Sequence, residues 1–439
     1  MNENIKYLNN NVLSILFASI PIFLVFGPLL PELNIILLIL IMFYLKIYNF
    51  KDLNLVKFSC FFLVFYLCIN ISSFFSPNIL LSLKSSLTYI RFYLFILVIF
   101  FLITLNQKTL FYLKNSLLIV FLVLFFDSTF QIINGKNLIG YELLRPNNVS
   151  RVSSFFGDEL IMGSFVVRFL PILLGLILLI ENNFIKKNVY FFSILVIASY
   201  IILISGERLA FIYLSIIYII FFFLLSFRKL IKISFLIILL SSAILVLNFY
   251  PNIRIIETTK KQITNFVNID NKLVTIKKIH YISDQHRAHF DTAYKIFVDK
   301  PIFGMGIKSF RLVCNYPKYK SNIKKIVSVY GNKTEYISCS THPHNTYIQL
   351  LSETGLVPSI LIFIIFLASI YKIFKIILYS NVYQGNMKNK RDFQILILTT
   401  IIINFFPLLP SGNFYNNWLS IVYSIPIGIY LGTMKDLKV

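Results

Sequence analysis

The histidines of this 439-residue chain all fall in one polar stretch, residues 250–355. His344 lies near the end of this stretch, just before a long apolar segment. Pro343 disfavours helical backbone at His342, the residue before the proline. We therefore expect a helix to begin near His344 or Asn345. A histidine at a helix N-terminus lies in a positive potential that attracts anions, and imidazole can act as a general base near neutral pH. The same position also suits a residue that only caps the helix.

Two arginines carry a complementary chemistry. Arg208 interrupts two apolar segments in Ser205-Gly-Glu-Arg-Leu-Ala210, and Arg287 begins an amphipathic pattern that continues to Asp299. Guanidinium groups bind phosphate oxygens in pairs, so Arg208 and Arg287 are predicted to hold a lipid diphosphate near His344. The alternatives for Arg208 are an ion pair with Glu207 or a side chain that only reaches towards the headgroups.

Three further side chains are candidate substrate contacts: Arg91, Arg151 and Asp158. Arg91 lies near the outer edge of an apolar segment, where a charge is costly and usually faces a cavity. Asp158 lies where the next apolar segment begins and is predicted to contact a sugar hydroxyl or Arg151. It would alternatively serve only to stabilise a helix N-terminus.

No metal or other cofactor is predicted. The sequence contains no HExxH motif and no Cys/His pair with the spacing of a structural zinc site. His286 and His289 could share a helix face with Asp284, which is only a weak indication of metal binding.

The elements that position these residues are membrane helices. Hydrophobic residues make up 57% of the chain and charged residues only 13%. Its uncharged apolar segments have the length of about 20 residues that crosses a bilayer, and they are continuous rather than alternating, which excludes a β-barrel. The sequence predicts an all-α integral membrane protein with about twelve transmembrane helices, near residues 12–31, 34–50, 53–74, 87–105, 109–132, 160–180, 189–205, 209–226, 230–249, 356–379, 393–410 and 415–433.

Basic residues orient these helices. With the N-terminus in the cytoplasm, eighteen Lys and Arg lie in or beside the inner connections and six beside the short outer ones. We therefore predict both termini in the cytoplasm, helices one to nine in 1–249, a large periplasmic loop in 250–355 and helices ten to twelve in 356–439.

The net charge of +23 does not indicate nucleic acid, because most of the surplus lies in short loops that meet lipid headgroups. Membrane lipids are the expected partner. Long loops are exempt from the orientation rule, yet residues 250–342 hold sixteen Lys and Arg against six Asp and Glu. This excess indicates either an anionic ligand or contact with outer-leaflet headgroups.

Two of the four cysteines lie in an apolar segment, and the other two lie in the large polar loop. Cys60 and Cys68 lie in an apolar segment and are expected to pack as small hydrophobic side chains. Cys314 and Cys339 lie in the large loop, where an oxidising periplasm predicts a disulfide that stabilises by about 3 kcal/mol in the chain-entropy model.

Several motifs, taken in order, resemble the O-antigen ligase and polymerase family of bacterial membrane glycosyltransferases. The His344-Asn345 pair is followed after nine residues by Gly355, whereas the second glycine expected three residues later is Pro358. Other matching positions are Pro343, Gln349, Glu353, Gly206-Glu-Arg208 and the loop Pro301–Gly306 before Phe310-Arg311.

This resemblance implies transfer of a glycan from undecaprenyl diphosphate at the periplasmic face of the inner membrane, without nucleotide sugar or metal. It implies that Arg208, Arg287 and His344 contact the diphosphate or the reaction centre. Asn345, Arg311, Gln349 and Glu353 become candidate substrate-binding residues.

The acceptor stays open: another glycan unit in a polymerase, lipid A–core in a ligase, or a protein hydroxyl in an oligosaccharyltransferase. A lipid or polysaccharide transporter is the alternative from another class, and it would require mid-membrane charges and internal repeats.

The predicted topology is tested by reporter fusions. Alkaline phosphatase fused after Asn332 should be active, because folding of this enzyme needs the periplasm, and a fusion after Lys388 should be inactive. The reverse pattern would invalidate the orientation and every site assignment based on it.

Overall fold

The computed structural model describes residues 3–48, 50–143, 151–249, 284–323, 338–379, 383, 385 and 387–434. Over these ranges the chain is helical, with one isolated bridge between Lys136 and Glu142 and no strand. The prediction of an all-α protein is confirmed. His280 and Asn332 lie outside the described residues.

Eleven helices precede the large loop. A short 3₁₀ helix, Ser154–Phe156, lies in the connection before α8. The bounds are α1 Glu3–Ala18, α2 Ile20–Val25, α3 Leu29–Tyr44, α4 Leu53–Ser73, α5 Ile79–Leu87, α6 Ile90–Leu105, α7 Lys108–Asn134, α8 Met162–Ile180, α9 Phe184–Ser205, α10 Arg208–Leu224 and α11 Lys229–Phe249.

Six further helices belong to the described part of the loop and to the region after it. The amphipathic helix predicted to end at Asp299 is present. The bounds are α12 Asp284–Asp299, α13 Phe310–Val313, α14 Thr346–Thr354, α15 Leu356–Leu378, α16 Met387–Asn404 and α17 Asn417–Thr433.

Several of these helices have the length and apolar composition to cross a membrane. Within the described ranges six segments qualify: Leu53–Ser73, Ile79–Leu105, Lys108–Asn134, Met162–Ile180, Phe184–Ser205 and Leu356–Leu378. Three apolar helices are shorter: Asn11–Val25, Leu29–Tyr44 and Arg208–Leu224. The chain is therefore a multi-pass membrane protein, while the count of twelve and the side of the loop stay predictions.

The centre of the bundle is α8, which is buried along nearly its whole length and packs against α9 and α16. A second close pair is α6 with α17. A Cβ added at Gly428 of α17 would lie only 2.7 Å from Ile99 of α6. Small residues at such contacts allow membrane helices to approach closely, since packing rather than the hydrophobic effect holds them together.

The loop forms a small layer with its own core. Ala293 and Ile296 of α12, Phe310 and Val313 of α13, and Tyr319 are all buried together. Cys314, at the end of α13, forms a disulfide with Cys339, with the two Cα atoms 5.0 Å apart. The chain before His342 is thereby joined to this layer.

The motif helix α14 does not continue straight into α15. It ends at Gly355, whose φ of +80° allows the chain to reverse. The ring of Tyr347, near the start of α14, lies 5.8 Å from that of Phe363 in α15. The two helices therefore form a hairpin, and the start of α14 lies beside the third turn of α15.

The loop Pro301–Gly306 is bonded to the apex of this hairpin. Leu356 N donates to Pro301 O at 2.9 Å, and Gly306 N donates to Glu353 O at 2.7 Å. A Cβ on Gly355 would lie 2.0 Å from Ile302 O, so only glycine fits there. The glycines of these two motifs therefore allow the loop and the apex to touch.

We expect Gly355→Ala to destabilise the protein more than Gly140→Ala. Both glycines have positive φ, but a Cβ on Gly140 would meet no atom within 4 Å. The unfavourable backbone costs about 1–3 kcal/mol in each, and overpacking adds about 1–3 kcal/mol at Gly355 alone. Thermal unfolding in detergent measures the difference, and equal losses would show that the apex contact is unimportant.

Candidate active site

His344 precedes α14 in a left-handed conformation with a φ of +58°. This conformation is unfavourable for a residue with a Cβ and costs roughly 1–2 kcal/mol. Ser411 N donates to His344 O at 2.9 Å and holds the backbone in place. The helix begins at Thr346, with Asn345 as its N-cap. Strained backbone of this kind concentrates at functional sites.

The start of α14 is fixed by the connection between α16 and α17, residues 405–416, which we name the strap. Asn345 Nδ2 donates to Pro407 O at 2.9 Å and to Leu409 O at 3.0 Å. Asn345 Oδ1 accepts from the backbone N–H groups of Tyr347 and Ile348. Asn345 thus uses its whole amide to position the helix, so it supports the histidine through the backbone.

Four of the five histidines come together around His344. Its ring centroid lies 4.2 Å from that of His342, 5.2 Å from that of His289 and 5.4 Å from that of His286. We name these four residues the histidine cluster. His286 and His289 belong to α12, so the cluster joins the two helices of the loop layer. The sequence analysis did not predict this grouping, although the spacing of three residues between His286 and His289 was visible in the sequence.

The cluster disfavours positive charge on its own members. Burial, followed by the charges of the other three histidines, lowers the pKa of His344 to about 3. Burial also lowers the pKa of His342 to about 4 and lowers those of His286 and His289. The four imidazoles are therefore neutral at neutral pH, and His344 can accept a proton.

One member of the cluster has a defined tautomer. His289 Nδ1 lies 3.1 Å from Ser338 O, which can only accept, so Nδ1 carries the proton. In the neutral ring, Nε2 then accepts from Gln285 Nε2 at 3.0 Å. These bonds fix the orientation of the His289 ring beside His344.

Arg208 is the first residue of α10 and is exposed. The predicted alternative of an ion pair with Glu207 is wrong, because the Glu207 carboxylate accepts from Gly163 N at 2.7 Å and from Ser164 Oγ at 2.5 Å. It stabilises the N-terminus of α8 instead. The charge of Arg208 contributes to lowering the pKa of His286, which places the guanidinium near the histidine cluster.

A second arginine lies near the other side of the cluster. Arg311, in α13, is exposed, and its charge contributes to lowering the pKa values of His342 and Lys308. Arg287 follows His286 on α12 and is half-buried. The cluster therefore has Arg208 and Arg311 near it, with Arg287 on its own helix. Lys308 is a basic neighbour that the sequence analysis did not single out.

Gln349 and Glu353 lie inside α14 and are fully buried. Gln349 donates to Asn413 Oδ1 at 2.7 Å and to Glu353 Oε2 at 2.9 Å, and it accepts from Phe414 N. Glu353 accepts from Phe310 N at 3.3 Å. Burial raises the pKa of Glu353 to about 7. Gln349 and Glu353 were predicted to contact substrate. In the structure their side chains join α14 to the strap and to α13.

The remaining predicted contacts are largely engaged by the protein itself. Arg91 forms an ion pair with Glu32 at 2.7 Å and donates to Asn417 at 2.8 Å. Arg151 donates to Leu160 O and Ser205 O at 3.4 and 3.5 Å. Asp158 is exposed in the connection before α8. The charge of Arg91 also contributes to lowering the pKa of Lys308. The role of these three residues as substrate contacts stays a prediction.

Among the described residues, no group of three or more His, Cys, Asp or Glu side chains could hold a metal ion. The expectation of metal-independent chemistry stays a prediction.

Fold and site together define a class: a multi-pass helical membrane protein with a recessed basic site of arginines and neutral histidines. Residues 193–381 match the family model described as O-Antigen ligase. The predicted resemblance to the O-antigen ligase family is confirmed over this segment, which contains Arg208, α12 and the His344 motif. The match indicates glycan transfer in surface-polysaccharide biosynthesis. No curated protein matches the chain.

The raised pKa of Glu353 predicts a pH-dependent stability. The folded state binds this proton more tightly than the unfolded chain, whose carboxyl has an ordinary pKa near 4.5. Its stabilising contribution is therefore present below pH 4.5 and lost as pH rises through about 7.

Glu353→Gln should remove this loss, since an amide can still accept the backbone hydrogen bonds. The thermal midpoint of the wild type should fall relative to that of the variant between pH 5 and 8. A constant difference across this range would mean that Glu353 is ionised throughout.

Proposed function

We propose that the protein transfers a glycan from undecaprenyl diphosphate to an acceptor hydroxyl at the periplasmic face of the bacterial inner membrane. The observation that carries the proposal is the position of His344: a neutral imidazole at the start of α14, in a cluster near Arg208 and Arg311. A diphosphate needs such a positive environment, and an acceptor hydroxyl needs such a base.

The diphosphate is assigned to Arg208 and Arg287. Arg208 lies at a helix N-terminus, where the helix dipole adds to its charge and where Glu207 does not neutralise it. Guanidinium groups bind two phosphate oxygens at once and stabilise the negative charge that grows as the diphosphate leaves. This stabilisation takes the role that a divalent ion would have, so no metal or other cofactor is required. Arg311 is the third candidate contact.

His344 is assigned as the general base. The acceptor oxygen attacks the anomeric carbon, the bond from this carbon to the diphosphate oxygen breaks, and the acceptor proton passes to His344. The configuration at the anomeric carbon is thereby inverted. A pKa near 3 describes the imidazole without ligand; the negative diphosphate would raise it towards neutrality, where a general base is most effective.

The other predicted residues have supporting roles in this proposal. Asn345 and Gln349 hold α14 against the strap, so they position His344 rather than contact the glycan. Asp158, Arg91 and Arg151 remain candidates only for distant parts of the substrate.

Acceptor identity distinguishes the remaining functions. A ligase transfers the glycan to lipid A–core, and a polymerase transfers it to another glycan. A protein oligosaccharyltransferase transfers it to a Ser or Thr hydroxyl. We favour the ligase. Surface glycans of a deletion strain separate the first two: free carrier-linked polymer accumulates without a ligase, and single repeat units without a polymerase.

In a reconstituted transfer assay, His344→Ala should lower kcat by about 10²–10⁴, the usual effect of losing a general base. His342→Ala removes a neighbouring imidazole of the same cluster and should be much milder. Arg208→Ala should also weaken carrier binding, and Arg208→Lys should restore it only partly, because lysine keeps the charge but loses the fork. Near-normal transfer by His344→Ala, or a greater loss in His342→Ala, would contradict the mechanism.

A further inference from the structure

A groove of about 290 Å³ lies between α12 and α14. Its walls are apolar and largely aromatic, formed by Phe290, Tyr294 and Phe297 of α12 and by Ile348 and Leu351 of α14. The polar side chain that also lines it, Asp291, is engaged by Ser321 Oγ at 2.7 Å and by Lys295 at 3.3 Å. We name this feature the α12–α14 groove; its chemistry suits a hydrocarbon ligand.

The groove lies close to the exposed apolar side of α15. Tyr347, the neighbour of Ile348, packs on Phe363, and exposed apolar side chains surround Phe363 on α15, namely Leu356, Ile360, Ile364 and Leu367. Phe363 lies seven residues after Leu356, which corresponds to about 10 Å along the helix. The start of α14 is therefore recessed below the outer end of a membrane helix, at a depth where hydrocarbon can reach the groove from the side.

The other end of the groove leads to the histidine cluster. Phe290 lines the groove and lies one helical turn after His286, with the two ring centroids 6.4 Å apart. The His286 ring in turn lies 5.4 Å from that of His344. The groove thus ends beside the histidine cluster that contains the proposed general base.

We infer that the α12–α14 groove binds the first isoprene units of the carrier, while its diphosphate lies at Arg208 and the histidine cluster. This assignment rests on the proposed function, because it requires a prenyl diphosphate substrate. It would account for the presence on α12 of His286 and His289 beside the aromatic side chains that line the groove with α14. The burial of prenyl surface would hold the carrier before any sugar contact forms.

Two matched variants of α12 test the assignment. Tyr294 and Val298 lie one turn apart and are similarly exposed, at 62% and 57%, but only Tyr294 lines the groove. In full-length protein reconstituted in lipid, Tyr294→Gln should raise KM for the prenyl diphosphate donor about tenfold with kcat within about twofold. Val298→Gln should leave both unchanged. Equal effects of the two variants would show that α12 merely contacts bilayer lipid. An unchanged KM in both variants would overturn the assignment of the groove as the prenyl-binding site.

Photolabelling keeps the test independent of any variant. A prenyl diphosphate with a diazirine on its second isoprene unit should label α12 and α14 of the wild type, and unlabelled prenyl diphosphate should compete. Labelling confined to other helices would overturn the inference. If the wild type transfers glycan while labelling lies elsewhere, only the groove is wrong. If the groove is labelled but no glycan is transferred from the carrier, the proposed function is wrong.

Discussion

The hydrogen bonds between the strap and the start of α14 are the constraint on which the site depends. His344 has an unfavourable left-handed backbone, and its carbonyl accepts from Ser411 N. Asn345 and Gln349 add side-chain bonds to the strap on the following two turns. Each such bond contributes about 1 kcal/mol, enough together to offset the local strain. The position of the imidazole is therefore set by a segment more than 60 residues further along the chain.

The charged and ionisable groups around the histidine cluster destabilise the local structure. Arg208 lies at a helix N-terminus, where a cation is unfavourable, and the adjacent carboxylate of Glu207 serves α8 instead. Burial, together with the charges of the other three histidines, lowers the proton affinity of His344. Such unfavourable charge is relieved when an anion binds, which is the trade of stability for function expected at a substrate site.

Much of the fold could be predicted, because the bilayer imposes long apolar helices whose lengths are visible in sequence. The helix at the motif and the amphipathic helix to Asp299 were also predictable from Pro343 and from periodicity. The hairpin at Gly355 was not, since it depends on backbone contact with Ile302, a residue distant in sequence. The assignment of Arg208 and His344 to one site stays a prediction, which the charge contribution of Arg208 to the lowered pKa of His286 supports. The convergence of His286 and His289 on His344 needed the packing of α12 on α14, which no local pattern encodes. Conversely, Gln349 and Glu353 are buried and hydrogen-bonded within the protein, and their positions in the sequence did not indicate this.

The dependence of His344 on the strap has a consequence for the order of synthesis. Membrane segments enter the bilayer from the N-terminal side as translation proceeds, and folding follows the same direction. Every arginine and histidine assigned to the reaction precedes the end of α15, whereas the strap follows α16. The nascent chain therefore contains the proposed reacting groups before the strap that positions His344 has been synthesised. The proposed site takes its geometry only when α16 and α17 have joined the bundle, so an incompletely inserted chain contains the proposed reacting groups without the backbone contacts that position them.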